Sequence, residues 1–220
     1  MSDLVIGPEK AEAGIQPRGL SVRTILLAVS SGAVVGLAMS SIFALPVVVR
    51  PVSQTAFIAA PIVATLLAGG AFGGLLARAR RQLNDVWVRM LGLALVVCLC
   101  SVAGLLLPLT LEPTAIKLPD DQRLLVFRLA FVTASAVIAF GCTAMASLIF
   151  GVPGWLSRAG LVALVTAATY LLAVLAVDPL LGLHVGNGGQ AMPKVAALAN
   201  LTTGIVGGTL AHLLLSRQQS

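Results

Sequence analysis

Six stretches of the chain, 24–49, 56–77, 90–111, 129–151, 159–177 and 195–216, contain no Asp, Glu, Lys or Arg. A helix rises about 1.5 Å per residue, so roughly 20 apolar residues cross a hydrocarbon core of about 30 Å. Each stretch is of that order, and short charged or proline-bearing connections separate them. Backbone polar groups have no water to bond inside lipid, so the spans must be helices. The fold class expected is an all-α integral membrane protein, a bundle of six transmembrane helices over 23–217. The preceding segment, 1–22, mixes Pro, Gly, Glu, Lys and Gln without an apolar period and is expected to be a disordered cytoplasmic tail.

Composition excludes a soluble domain. Charged residues make up only 10% of the chain, hydrophobic residues 58%, and mean hydropathy is +1.02. A soluble surface needs about a quarter charged. The net charge of +6 is scattered among connections, with no basic stripe or interleaved aromatics, so no nucleic-acid partner is expected. The partners expected are the lipid bilayer and other membrane protein subunits. The charge instead sets orientation. With the N-terminus inside, nine basic residues face the cytoplasm, including the cluster Arg78, Arg80 and Arg81, and five face outward. The positive-inside rule thus places both termini in the cytoplasm. The Arg-rich, Lys-poor composition points to a GC-rich bacterial genome, hence to the bacterial inner membrane. The first apolar run has 26 residues, longer than the core of a cleavable signal.

Helices in lipid associate where small residues let backbones approach. Four-residue ridges of this kind run along four spans: Ala28, Gly32, Gly36, Ser40, Ala44; then Ala56 to Ala68 beside Gly69, Gly73, Ala77; Ser135, Ala139, Thr143, Ser147; and Ala199, Thr203, Gly207, Ala211 beside Asn200, Gly204, Gly208. Spans 1, 2, 4 and 6 are therefore expected at the bundle centre, with 3 and 5 nearer lipid. The packing residues expected are Gly32, Gly36, Gly69, Gly73, Gly204 and Gly208. With small gaps, Gly36, Ala38, Met39, Ser41, Phe43 and Pro46 match Gly141, Ala144, Met145, Ser147, Phe150 and Pro153. Spans 1 and 4 run in opposite directions, so a duplication would give a weak 3+3 inverted repeat, a transporter device. The match fades in the other span pairs.

No charge lies near the middle of any span, which argues against proton- or sodium-coupled carriers. Tyr170, Asn200 and Thr203, with Thr166 nearby, are the most polar groups well inside spans, and a ligand pocket between spans 5 and 6 would draw on them. His212, one turn from the end of span 6, is the remaining pocket candidate. Cys98, Cys100 and Cys142 all lie in spans and read as small buried hydrophobes; Cys98 and Cys100 sit roughly 200° apart on a helix and cannot share a metal. The turn Gly186-Asn187-Gly188-Gly189 lacks the Gly-Lys-Ser/Thr ending of a phosphate loop. No metal and no cofactor is expected.

Six spans with Ser135 in the fourth and His212 in the sixth resemble the plan of rhomboid proteases. Here no glycine frames Ser135, and Ser135 and His212 lie towards opposite ends of their spans, so nucleophile and base could not meet. The six-span plan is also similar to the substrate-binding subunits of energy-coupling-factor vitamin importers, at the level of plan alone. The sequence thus points first to a non-enzymatic accessory or scaffold subunit of a membrane complex. The alternative is a small-solute transporter or membrane-embedded substrate-binding subunit. Reporter fusions test the topology: Ser220 is expected to report cytoplasmic, and the 113–122 connection external. The same signal from both sites would overturn the six-span orientation.

Overall fold

The computed structural model describes residues 21–48, 54–115, 117–180 and 188–217. The tail 1–20 and the first half of the glycine-rich turn, Gly186 and Asn187, lie outside them. Six helices follow in order: α1 (Val22–Val48), α2 (Gln54–Ala79), α3 (Val86–Ala115), α4 (Asp120–Ile149), α5 (Trp155–Leu180) and α6 (Gly188–Ser216). Each contains a segment long and apolar enough to cross a membrane. Leu37, Leu67, Leu99 and Leu164 are exposed on four different helices, the pattern of a surface that meets lipid tails.

The helices outrun the apolar stretches. The connection expected over 112–128 shrinks to a few residues, because α3 continues to Ala115 and α4 begins at Asp120 after Pro119. Loss of hydrophobicity marks the edge of the hydrocarbon; it does not end a helix. Two turns do end sharply. After α4, Gly151 adopts φ +61°, with Gly151 N–H bonded to Leu148 O at 3.1 Å and Val152 N–H to Ser147 O at 2.7 Å. This is a Schellman closure, and glycine meets its left-handed position without strain. The turn after α2 repeats it: Arg81 has φ +56° and Gln82 N–H bonds Ala77 O at 2.9 Å.

The helices pack as a closed ring in chain order, α1 to α6 and back to α1. The expected division into central spans 1, 2, 4 and 6 and peripheral spans 3 and 5 does not hold. Only α6 leans inward, touching α2 and α4 as well as its ring neighbours; 44% of its span is buried against 22–33% in the others. Ridges report close approach, not central position. Gly69 and Gly73 bring α2 onto α3, where a methyl at Gly69 would lie 2.6 Å from Leu93 O.

The closest approach is α1 on α6. A Cβ on Gly204 would lie 2.5 Å from Gly36 Cα, and one on Gly208 would lie 2.9 Å from Gly32 Cα. Reciprocally, a Cβ on Gly36 would meet Leu201 O at 2.6 Å, and one on Gly32 would collide with Ile205 O and the Thr209 hydroxyl. Any side chain here must separate two backbones. Gly36→Leu is accordingly expected to cost roughly 3 kcal/mol or to prevent assembly. Leu26→Ala, at a side chain 63% exposed, is expected to change stability by less than about 0.5 kcal/mol. Thermal unfolding in a mild detergent compares the two. Equal stability would make the α1–α6 seam irrelevant to assembly.

Candidate functional site

The ring encloses a central cavity of about 90 Å³ to which all six helices contribute. Its walls are mostly apolar: Val35 and Met39 from α1, Phe72 from α2, Leu93 and Val97 from α3, Ile138 and Ala146 from α4, and Val162 from α5. Small side chains make the space. The α4 ridge Ser135–Ala139–Thr143 faces the cavity, as does the α6 row Thr203–Gly207–Ala211. A residue ridge that looked like a helix-packing surface on α4 is in fact a cavity wall.

Polar groups gather on the α5–α6 side. Many hydroxyls among the described residues bond back to their own helix: Thr169 to Val165 O at 2.8 Å, Thr202 to Leu198 O at 3.0 Å and Ser135 to Val132 O at 2.8 Å. Thr166 and Thr203 do not. Their Oγ1 atoms are buried at the cavity without a hydrogen-bond partner. Between them, Thr166 Oγ1 lies over Gly207, where a Cβ would approach it to 2.6 Å. Asn200 lines the same region and donates from Nδ2 to Ala196 O at 2.8 Å, which holds its amide plane against α6. An unpartnered buried hydroxyl costs about 1–3 kcal/mol, so two lining one cavity form a place prepared for a polar atom.

Of the expected pocket residues, the structure brings Asn200 and Thr203 to the cavity together with Thr166. Tyr170 is not among the lining residues. It is buried in a second core cluster with Val174, Val195 and Ala199, and stacks on Phe131 with ring centroids 6.5 Å apart. His212 does not line the cavity either. It is fully buried, with Nδ1 2.8 Å from Ser31 Oγ on α1 and its ring edge-on to Phe72 at 5.9 Å. Its Nε2 has no partner. Ser135 and His212 thus have separate hydrogen-bond partners, Val132 O and Ser31 Oγ. Below the cavity a core cluster that includes Leu76, Phe150 and Leu215 forms a floor towards the end of the bundle where α6 terminates.

Cys100 on α3 and Cys142 on α4 are neighbouring thiols across the α3–α4 contact, and Cys142 lines the cavity. Their spacing in sequence gave no signal for this pairing, because it depends on the α3–α4 contact. Among the described residues no three His, Cys, Asp or Glu side chains are grouped as metal ligands. Comparison with protein-family models, curated proteins and solved structures finds no match to the chain.

The Ser31–His212 contact is a buried interhelical hydrogen bond on the α1–α6 seam, so it is testable as a pair. Ser31→Ala alone leaves the imidazole without its partner and is expected to cost about 1–2 kcal/mol. In a double-mutant cycle with His212→Phe, the coupling energy is expected near 1 kcal/mol. Additive effects of the two substitutions would remove the pair from the account of how α1 is held to α6.

Proposed function

We propose that this protein is a non-enzymatic, membrane-embedded solute-binding subunit or carrier of the bacterial inner membrane, with both termini cytoplasmic. The solute sits in the central cavity. The observation that supports this is the pair of unpartnered hydroxyls, Thr166 and Thr203, beside Asn200 in an otherwise apolar chamber. Ligand sites have this composition: apolar walls and a few fixed polar groups that orient the guest. Among the described residues no charged side chain lines the chamber, and a net charge is costly at membrane depth. The guest is therefore a small neutral molecule, largely apolar, with one polar end directed at α5 and α6.

The scaffold reading suggested by the sequence rested on abundant close-packing ridges. Those of α1, α2 and α6 are spent within the bundle, Gly32 and Gly36 on Gly204 and Gly208, and Gly69 on α3. The α4 ridge faces the cavity. Little of that surface is left to offer a partner subunit, so the packing argument now favours a chamber over a docking platform.

Purification in mild detergent followed by mass spectrometry of co-purifying small molecules tests the proposal. Thr203→Val keeps the shape and removes one orphan hydroxyl. In the empty protein it is expected to raise stability by about 1 kcal/mol, while ligand retention falls. Asn200→Leu is expected to abolish retention. A wild-type protein that carries no small molecule but holds a stoichiometric protein partner would replace this reading with the scaffold.

A further inference from the structure

Three arginines converge on the end of the bundle where α6 terminates. Arg80 caps α2 and donates from Nη1 to Leu215 O at 2.6 Å; Arg158, in the first turn of α5, donates from Nη1 to Leu214 O at 2.7 Å. Arg89, in the first turn of α3, donates to Gln82 Oε1 at 2.6 Å and lies 5.1 Å over the Phe150 ring. The local folding is specific. The Schellman turn after α2 directs Arg80 towards α6, and Val152 and Phe150 of the α4 turn pack into the same core as Leu215.

Capping explains only part of this arrangement. A helix C-terminus carries roughly half a negative charge, whereas three guanidiniums bring three positive ones. Among the described residues none of the three forms an ion pair, and Asp85, in the same turn, is exposed. Partial burial, then Arg158, then Arg89 push the Arg80 guanidinium below its ordinary pKa. Its Nε is buried with no acceptor. A guanidinium has five N–H donors, and the contacts described use one on each arginine, leaving forks of the geometry that phosphate oxygens accept. Depth points the same way. Trp87 and Trp155, at the starts of α3 and α5, are exposed at this end, the position of interfacial aromatics beside headgroups.

We propose that Arg80, Arg89 and Arg158 form a binding site for a phosphate oxyanion at the membrane interface. The phosphate completes a charge balance that the helix terminus leaves unfinished, and it ties the α2–α3 turn, the start of α5 and the end of α6 together. Its source is either the headgroup of an anionic phospholipid or free phosphate, and the two are separable by experiment.

The full-length protein in a maltoside micelle, which contains no phosphate, is titrated with short-chain phosphatidylglycerol or with inorganic phosphate at constant ionic strength. Trp87 and Trp155 are the only tryptophans in the chain, so their fluorescence reports from this end. Saturable binding is expected, weakened about tenfold by Arg89→Gln, which touches neither α6 carbonyl, and unchanged by Arg78→Gln. Arg78 is exposed in the last turn of α2, so its loss removes the same charge near the same place. Saturation by phosphatidylglycerol alone identifies a lipid headgroup; saturation by inorganic phosphate identifies the free ion. Equal weakening by both substitutions would show a diffuse basic surface and overturn the site. A wild-type protein with no saturable response to either probe overturns it whatever the variants do.

Discussion

Backbone approach between α1 and α6 is the contact on which the other features rest, because it closes the ring. In water a gap between first and last helix would be sealed by the hydrophobic effect. For a bundle in lipid, whose tails are as apolar as leucine, closure must come from van der Waals contact and interhelical hydrogen bonds. Gly32 and Gly36 opposite Gly208 and Gly204 supply the first. Ser31 and His212, one residue and one turn along the same seam, supply the second. An open ring would have five seams and a cleft. The closed one has six seams and a chamber, and Val35 and Gly204 at the seam are part of the chamber wall.

The sequence carried the architecture at the level of spans because lipid makes charge the dominant signal. It also carried the seam residues, since glycine inside a helix is costly unless a neighbour uses the gap. What it could not carry was pairing. A four-residue ridge is the same string whether it receives a helix, as Gly32–Gly36 does, or borders a void, as Ser135–Ala139–Thr143 does. Thr166 and Thr169 show the same limit at the site. Three residues apart on one helix, they are equivalent in composition, yet Thr169 satisfies itself on Val165 O and Thr166 is left without a partner. Tyr170, grouped with Asn200 by polarity, sits one turn beyond Thr166 and packs with Phe131, Val174 and Ala199 outside the cavity lining, because an aromatic ring follows its packing.

The arginines at the end of α6 show where a sequence reading based on topology stops short. Arg78, Arg80 and Arg81 entered as an undivided positive cluster that orients the chain. In the structure they separate into different tasks. Arg78 is exposed, Arg81 takes the left-handed turn position, and Arg80 reaches back to Leu215 O. The positive-inside rule counts charges without regard to direction, so it had no means of distinguishing them.

Helix α6 is the element these features share. One row of it, Gly204 and Gly208, fits α1; the adjacent row, Thr203, Gly207 and Ala211, faces the cavity; and its last carbonyls hold Arg80 and Arg158. A helix so constrained cannot slide independently. Movement of α6 by one turn, about 5.4 Å, would take Gly204 off Gly36, separate Ser31 from His212 and withdraw two carbonyls from their guanidiniums together. The chamber's polar edge therefore shares its support with the floor beneath it and with the basic end of the bundle. A guest bound at Thr203 would stabilise the same helix that an anion among the arginines would stabilise from its terminus.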